Sequence, residues 1–386
     1  MAPLERELLA LIVLSRVPGL GFRTVRRLVD RYGGAAAALR AVRAAAPDEL
    51  RRVCGRPIPT GKATRALGPA AVERAQGLLR AARAKGLGAV GYGGAAYPAG
   101  LRDLPDPPPV LFLRGSLPSD PDRAVAVVGT RAASSYGLRT AYTLGRELGR
   151  WGWTVVSGMA RGIDAAAHAG ALDAGGHSTG VLGTGHDHEY PAENRELYGR
   201  MRARGLLLSE FEPGAPPTRA AFPRRNRVIA ALARGVIVVE AGGKSGALNT
   251  ADHALDLGRE VLAVPGRIDD PGAAGCLRLL RQGAGLVAGV QDVFDALGWL
   301  HVAADGGPGS GDDGGSTQSE GEAAASPDME LLRALTRGPR SPDELAVGLE
   351  LPVARVLRGL GRLELEGWVE RRPGGNFSAV RRPARR

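Results

Sequence analysis

Three glycine-containing segments follow apolar runs of the chain, and each has the composition of a phosphate-binding turn. They are Gly129-Thr130-Arg131, the stretch from Ser157-Gly158 to Arg161, and Lys244-Ser245-Gly246. Glycine lets backbone N–H groups approach an anion closely, and the Arg or Lys side chains add positive charge. GxGxxG does not follow the apolar run at 124–128, and the P-loop pattern is incomplete because its first glycine would fall at Val238. The segments predict phosphate binding without the signature of an ATPase.

A basic run between two of these turns, residues 218–227, adds a further candidate. It contains Arg219, Phe222, Arg224, Arg225 and Asn226, followed by another arginine. Arginines that surround an aromatic ring are typical of single-strand recognition, in which the cations contact phosphates and the ring stacks on a base. A solvated basic loop that leads into a helix over 228–233 fits the same residues, and the run alone favours neither interpretation.

The elements that would hold these segments alternate between apolar strands and helices. Strands are expected at 124–128, 153–156, 178–182, 206–209, 235–239 and 260–264, with helices between them. This alternation predicts an α/β fold, an extended Rossmann-like doubly wound sheet that is mainly parallel. Ligands of such sheets bind at the carboxyl ends of the strands, which is where the three glycine-containing turns fall.

The charge of the 386-residue chain favours a nucleic-acid partner. Of 51 basic residues only three are lysine, and the net charge is +11. Residues 1–87 carry 17 basic and six acidic residues, whereas residues 88–300 are nearly neutral. Arginine binds phosphate in a two-pronged manner and stacks on bases, although a codon bias would also enrich it.

Targeting and redox signals point to a cytoplasmic protein. No apolar run approaches the ~18 residues that cross a bilayer. The apolar stretch near the N-terminus follows Glu5 and Glu7 and lacks a small-residue cleavage site, so we interpret it as a helix and not a signal peptide. Cys54 and Cys276 stand far apart and predict no disulfide framework.

Composition divides the chain into three folded units and a linker. Residues 1–85 are expected to form a helical domain, 88–300 the α/β domain, and 327–386 a winged-helix-like domain; residues 301–326, acidic and rich in Gly and Ser, predict a disordered linker. Within the first unit, Val17-Pro18-Gly19-Leu20-Gly21 resembles the turn of a helix-hairpin-helix or SAM-like domain. Phosphate contact and a plain helix–helix turn are both consistent with it.

The last unit is predicted to contain helices at 328–336, 342–348 and 352–367, followed by a two-stranded hairpin. Ser341-Pro342-Asp343-Glu344 has the composition of a helix start. The third helix carries Arg355, Arg358 and Arg362 on nearby faces, which fits DNA binding. A protein contact or a purely structural role is equally consistent with this unit.

Metal and cofactor sites are not predicted. Asp164 and His168 are four residues apart on one predicted helix, and His186, Asp187 and His188 fall in a loop. No spacing such as HExxH appears among them, and His177 stands alone.

The central unit resembles the DNA-processing protein A (DprA/Smf) family of bacterial natural transformation. The matching segments include VVGTR at 127–131, VVSGMARGIDAAAH at 155–168, VLGTGHDHEYPAENREL at 181–197, FPRRNRVIA at 222–230 and VVEAGGKSGALNTADHAL at 238–255. They occur in family order across nearly all of residues 90–285. Departures are Thr130 where Ser is common, Leu277 where the family has Asn after Gly-Cys, and histidine at 186 and 188.

The resemblance implies a non-catalytic single-stranded DNA-binding protein of competence and DNA recombination. Such a protein protects incoming DNA, helps to displace single-strand binding protein, loads the RecA recombinase, and is typically a homodimer. On the family pattern, Arg131 and the Gly129 and Ser157-Gly158 loops would hold phosphates, and Phe222 would meet a base. The pocket would be extended by Arg219, Arg224 and Arg225 and closed by Lys244, Ser245 and Gly246.

Two other functions compete with this one. The same kind of sheet hosts nucleotide phosphoribohydrolases, but the PGGxGTxxE stretch that supplies their catalytic Glu is absent. A transcription regulator that senses a nucleotide and reads duplex DNA through the winged helix is the third hypothesis.

Overall fold

The computed structural model describes residues 3–44, 67–298, 331, 334–335, 338–349, 351–365, 369–372 and 375–379. The chain divides into two compact units, Met1–Trp299 and Leu300–Arg386. The predicted linker, 301–326, lies outside the described residues. The N-terminal helices and the sheet belong to one compact unit. This division does not test a domain boundary between residues 85 and 88, which stays a prediction.

Nine strands form the sheet of the first unit. They are β1 (Gly88–Gly91), β2 (Val110–Gly115), β3 (Ala124–Val128), β4 (Thr154–Ser157), β5 (Ser178–Val181), β6 (Leu206–Ser209), β7 (Gly235–Val238), β8 (Glu260–Ala263) and β9 (Gly285–Leu286). The helices of this unit are α1 (Pro3–Ser15), α2 (Phe22–Tyr32), α3 (Ala35–Ala44), α4 (Pro69–Ala84), α5 (Ser135–Arg150), α6 (Ile163–Asp173), α7 (Arg195–Arg204), α8 (Ala221–Ala231), α9 (Gly246–Asp256), α10 (Ala274–Arg281) and α11 (Val290–Ala296).

The strand order is β1-β2-β6-β5-β4-β3-β7-β8-β9. From β6 to β9 the strands are parallel, while β1 and β2 form an antiparallel extension in which β2 pairs with β6. The chain winds outward from β3 in one direction and from β7 in the other. The switch of direction therefore lies between β3 and β7, and the predicted doubly wound, mainly parallel sheet is confirmed.

Both faces of the sheet are covered, which explains the continuous apolar runs in its strands. Because successive side chains point to opposite faces, Val125 and Val127 of β3 pack with α5, α6 and α11. Ala126 and Val128 pack on the other face with α8, α9 and α10. The strand ends that carry the glycine-containing turns are thus held by a buried, rigid framework.

Helices α1 to α4 share a core with the antiparallel end of the sheet, where Val110 and Phe112 of β2 contact them. The predicted turn between α1 and α2 is present, and Gly19 adopts φ 91° within it, a conformation that favours glycine. No helix within the described ranges combines the length and the apolar character that a bilayer crossing requires.

The second unit contains α12 (Pro342–Gly348), α13 (Val353–Leu365), and the antiparallel strands β10 (Val369–Arg371) and β11 (Phe377–Ala379). Ser341 caps α12 as predicted: its Oγ accepts from the Glu344 N–H at 3.2 Å, and its own N–H donates to the Glu344 carboxylate at 2.8 Å. Most of the helix predicted at 328–336 lies outside the described residues.

Candidate nucleic-acid interface

A cavity of about 650 Å³ opens at the carboxyl edge of the sheet, between the segments that follow β3 and β7. These strands flank the switch of winding direction, the position at which doubly wound sheets bind ligands. The predicted site residues that line it are Gly129, Thr130, Arg131, Arg219, Phe222, Arg225, Asn226, Ser245 and Gly246. Of the predicted set, Ser157, Gly158, Arg161, Arg224 and Lys244 are not part of its lining.

The turn after β3 needs glycine at its first position. A Cβ at Gly129 would lie 2.5 Å from Cγ1 of Ile163 and 2.9 Å from the Glu240 carbonyl oxygen, too close for any larger residue. The Thr130 N–H donates to that same carbonyl at 2.7 Å. These contacts anchor the turn between β7 and α6, and they leave the Arg131 side chain exposed at the cavity.

The basic run is helical, which corrects the prediction of a loop that ends at residue 227. Helix α8 begins at Ala221, and Pro223 occupies its first turn, where a missing N–H costs no helical hydrogen bond. Five residues of α8 line the cavity: Pro223, and the four residues with helical spacing Phe222, Arg225, Asn226 and Ile229. The helix therefore sorts the arginines onto different faces, which a loop would not do.

Arg225 is buried, with 4% of its surface exposed. Its Nη1 donates to the Gly158 carbonyl oxygen at 2.6 Å and to the Val181 carbonyl oxygen. Asp164, also buried, accepts from the Gly158 N–H at 3.0 Å and from the Ala160 N–H at 3.4 Å. The guanidinium thus joins the ends of β4 and β5 and offsets the charge of Asp164.

The pKa directions of this buried pair follow from its surroundings. Burial raises the pKa of Asp164, and the positive charge of Arg225 together with backbone hydrogen bonds opposes that rise. Burial lowers the pKa of Arg225, which Asp164 opposes in turn. We propose that Arg225 supports the phosphate-binding turns, in place of the direct phosphate contact expected from the sequence.

Arg224 lies on another face of α8. Its Nη2 donates to Glu210 at 2.9 Å, and its guanidinium lies over the rings of Phe22 and Phe211, 4.8 and 5.3 Å from their centroids. Arg227, one turn along, donates to the same Glu210 carboxylate at 2.6 Å. Arg224 therefore connects α8 to the start of α2, which gives it a structural role away from the cavity.

A layered cluster of one cation and two rings lies at the cavity. The Arg131 Cζ is 5.2 Å from the ring centroid of Phe222, and the Tyr190 ring is 5.3 Å from Phe222 with a 39° tilt. Phe222 lies against Gly183, where a Cβ would approach its ring to 2.7 Å. Phe222 is half-buried by these contacts, whereas Tyr190 is 42% exposed.

Sequence reasoning did not nominate Tyr190, although its segment was among those with family resemblance. The available signal was an aromatic residue directly before Pro191, in the segment that follows β5 and the turn Gly183-Thr184-Gly185. The structure places this ring on the same cavity as Arg131 and Arg219.

The remaining cationic side chains differ in whether they have an ion-pair or hydrogen-bond partner. Arg219 and Lys244 are exposed and have no ion-pair or hydrogen-bond partner in the described part of the chain. Arg161 pairs with Glu193 at 3.2 Å, and both side chains are more than half exposed. Arg131 and Arg219 are thus the cavity's accessible positive charges, since Arg225 is offset by Asp164.

Helix α9 directs its N-terminus at the cavity, where Ser245 caps it by accepting from the Ala247 N–H at 3.3 Å. The N-terminus of α5 differs, because the Glu240 carboxylate accepts from the N–H and Oγ of Ser134 and already supplies negative charge there. Of these two helices, α9 is the one whose partial positive charge faces the cavity.

The other predicted candidates have structural surroundings. Ser157 is fully buried, and its Oγ donates to the Val127 carbonyl oxygen at 2.6 Å. His186 and His188 donate to backbone carbonyl oxygens of Phe112 and Gly214. Among the described residues, no group of three or more His, Cys, Asp or Glu side chains is arranged to hold a metal ion.

The fold and the cavity define a doubly wound α/β protein with a cavity lined by exposed arginines at its switch point. Residues 89–298 match the family described as DNA recombination-mediator protein A, and residues 316–375 match the DprA winged helix domain. The chain belongs to the DprA family. This membership confirms the resemblance, the fold class and the expectation of a DNA-recombination protein that is not an enzyme.

Individual relatives agree with this membership. DNA processing protein DprA of Bacillus subtilis (strain 168) is 42% identical over 221 residues, which cover 57% of this chain and 74% of that protein. Protein Smf of Synechocystis sp. (strain ATCC 27184 / PCC 6803 / Kazusa) is 36% identical over 307 residues, 73% and 77% of the two chains. The X-ray structure of DNA processing protein A from Streptococcus pneumoniae aligns with a TM-score of 0.64 at 32% identity, covering 76% of this chain and 98% of that chain.

Proposed function

We propose that this chain binds single-stranded DNA in the cavity at the β3–β7 switch point, and that it protects incoming DNA and helps to load the RecA recombinase. The observation that carries the proposal is the cluster of Arg131, Phe222 and Tyr190, with Arg219 on the same cavity. A cation that contacts phosphate beside an accessible ring is the combination that single-strand recognition uses.

The geometry favours unpaired bases over a duplex. Rings bind bases by stacking on their faces, and in a duplex those faces are already covered by neighbouring base pairs. Tyr190 is the ring with an accessible face, while Phe222 supports it and the Arg131 guanidinium. The N-terminus of α9 adds N–H groups that suit a phosphate.

The cavity is poorly equipped for nucleotide hydrolysis. Asp164 is the one carboxylate among the described residues that line it. Its oxygen already accepts two backbone N–H groups and it is buried beside Arg225, so it is not free to activate water. This arrangement supports binding without chemistry and opposes the phosphoribohydrolase alternative.

The partner proteins are proposed from family membership. The family description is that of a recombination mediator, and the relatives are named for DNA processing. We extend to this chain the loading of RecA, the indirect displacement of single-strand binding protein, and assembly as a homodimer. Cytoplasmic location is part of the same proposal.

Fluorescence anisotropy with a labelled deoxythymidine oligomer and a duplex of equal length tests the binding. We expect the wild type to bind the single strand more tightly than the duplex, and the double variant Arg131→Ala/Arg219→Ala to lose affinity. Arg204→Ala is the matched control, because Arg204 is exposed and lies at the opposite edge of the sheet, separated from the start of β6 by Gly205. Equal affinity for the two DNA forms, or an unaffected double variant, would contradict the proposal.

RecA loading needs a separate assay. An oligonucleotide coated with single-strand binding protein is mixed with RecA and ATP, and filament formation is followed by ATP hydrolysis. The wild type should shorten the lag, and Arg131→Ala/Arg219→Ala should not. A lag unchanged by wild-type protein that does bind the strand would separate the DNA-binding proposal from the RecA proposal.

A further inference from the structure

A second groove, of about 610 Å³, lies next to the cavity and shares a wall with it. Tyr190 lines both depressions. The segment before α8 also borders both, because Pro217 lines the second groove and Arg219, two residues later, lines the first. The cavity and the second groove are therefore adjacent at Tyr190.

The second groove is richer in cations than in carboxylates. Lys85, Arg114, Arg195 and Arg202 line it, together with the carboxylates Asp187 and Glu189. Lys85 pairs with Asp187 at 2.6 Å, and Arg202 pairs with Glu189. These two pairs account for both carboxylates, so two positive charges remain in excess.

Arg114 and Arg195 carry that excess. Arg114, near the end of β2, has no ion-pair partner within the described ranges and is half-buried. The Arg195 side chain is 79% exposed, and its Nε lies 3.5 Å from the already paired Glu189. An exposed contact of this kind contributes little stability, which leaves the guanidinium available to a ligand.

The position of Arg195 also argues against a role in stabilising its own helix. It is the first residue of α7, where the helix dipole favours an acid and disfavours a cation. Arg204 ends the same helix, where the dipole favours a cation. Arg195 therefore supplies a positive charge to the groove at a position where the helix dipole disfavours a cation.

We propose that the second groove binds the phosphate backbone of the same DNA strand beyond Tyr190, so that Arg114 and Arg195 lengthen the single-strand site. This inference rests on the proposed function, because it extends the path of the strand that the first cavity binds. Tyr190 would stand at the junction, between a segment held at Arg131 and a segment held at Arg195. Long strands then gain contacts that short strands cannot reach.

The length dependence of binding tests the groove. Anisotropy is measured with deoxythymidine oligomers from about 4 to 16 nucleotides, the range of site sizes common in single-strand binding folds. We expect Arg114→Ala and Arg195→Ala each to reduce affinity for the longest oligomer by about eightfold at 0.05 M salt. One phosphate contact contributes about 0.7 to the slope of log affinity against log salt, and with 1 M salt as the reference the loss of one contact gives this factor. Neither variant should alter binding of the shortest oligomer.

Two comparisons make the outcomes distinct. Arg204→Ala, at the other end of α7, should bind every length like the wild type, and Arg131→Ala should bind every length more weakly. If the wild type binds no oligomer, both the proposed function and this inference fail. If it binds and both groove variants retain wild-type affinity for the longest oligomer, the groove is overturned while the cavity stands.

Discussion

The Arg131 guanidinium lies over the Phe222 ring, with the Arg131 Cζ 5.2 Å from the ring centroid. They come from different elements, the turn after β3 and the first turn of α8. The contact holds a charged group above an apolar surface without using its hydrogen-bond donors, so Arg131 remains free to contact a phosphate.

We predict that Arg131→Ala weakens single-strand binding more than removal of residues 300–386 does. One phosphate contact contributes about 0.7 to the slope of log affinity against log salt concentration. The variant should therefore bind about eightfold more weakly at 0.05 M salt, with 1 M salt as the reference, and its slope should be flatter by about 0.7. Anisotropy titrations over a salt series measure both quantities. Wild-type affinity at ~150 mM salt, where surface charges are already partly screened, would place the strand elsewhere.

The two rings should respond differently to truncation. Tyr190→Ala is expected to cost about 1–3 kcal/mol of binding free energy at every salt concentration, with the slope unchanged, because an uncharged stacking surface is removed. Phe222→Ala should lower affinity and also disturb the slope, since it removes the surface beneath Arg131. Titrations of both variants at three salt concentrations compare them, and an unaffected Tyr190→Ala would exclude base stacking there.

Arg225→Ala is predicted to destabilise the fold. It would leave Asp164 buried without its cation and remove the donor to the Gly158 carbonyl oxygen, a change that typically costs about 3–5 kcal/mol. Urea unfolding measures the loss. Arg219→Ala is the control, because the side chain is exposed and its removal should change the free energy of unfolding by no more than about 0.5 kcal/mol. Equal stability of both variants would show that Arg225 is dispensable for the fold.

Buried His168 should make stability depend on pH. Its Nδ1–H donates to Ser178 Oγ at 2.7 Å, because that hydroxyl donates to the Val155 carbonyl oxygen. Burial, reinforced by the charge of Arg225, lowers the pKa of His168 to about 3. The unfolded state therefore takes up a proton below pH ~6.5 that the folded state does not, and stability falls as the pH falls from about 6.5 toward 3.

His168→Asn removes this titration while keeping a donor for Ser178. Between pH 7 and pH 5 the wild type should lose about 2 kcal/mol more than the variant. Urea unfolding at both pH values measures the difference, and the other groups with shifted pKa values are present in both proteins and cancel. Parallel pH dependence of the two proteins would mean that His168 becomes protonated in the folded state.

The sequence was most informative where burial determines the residue types. The apolar runs predicted the parallel strands within a residue or so, and Leu206–Ser209 agrees at both ends. Strands β1, β2 and β9 were not predicted. Gly88–Gly91 and Gly285–Leu286 are too short and too poor in β-branched residues to show a period, and Val110–Gly115 precedes the alternation of strands and helices from which the others were predicted. The positions of the glycine-containing turns at the switch point could be predicted because the strands before them were predicted.

The site was harder to predict because long-range partners decide which cations are free. The sequence offered at most five cationic side chains for phosphate contact around this pocket, namely Arg131, Arg219, Arg224, Arg225 and Lys244. Glu210, 14 residues before Arg224, and the Gly158 carbonyl, 67 residues before Arg225, engage two of them. Lys244 does not line the cavity. Two accessible cations remain there, and no spacing rule in the sequence distinguishes them from the others.

The burial of Arg225 beside Asp164 has a kinetic consequence for the proposed mediator. With one cation neutralised internally, the proposed binding of a strand in the cavity would rest on Arg131 and Arg219, so few ionic contacts there would have to break for the strand to leave. Affinity differences between related complexes arise mostly in the dissociation rate. A short strand that reaches only this cavity would therefore have a short residence time there, which suits a protein that must transfer its DNA to another protein.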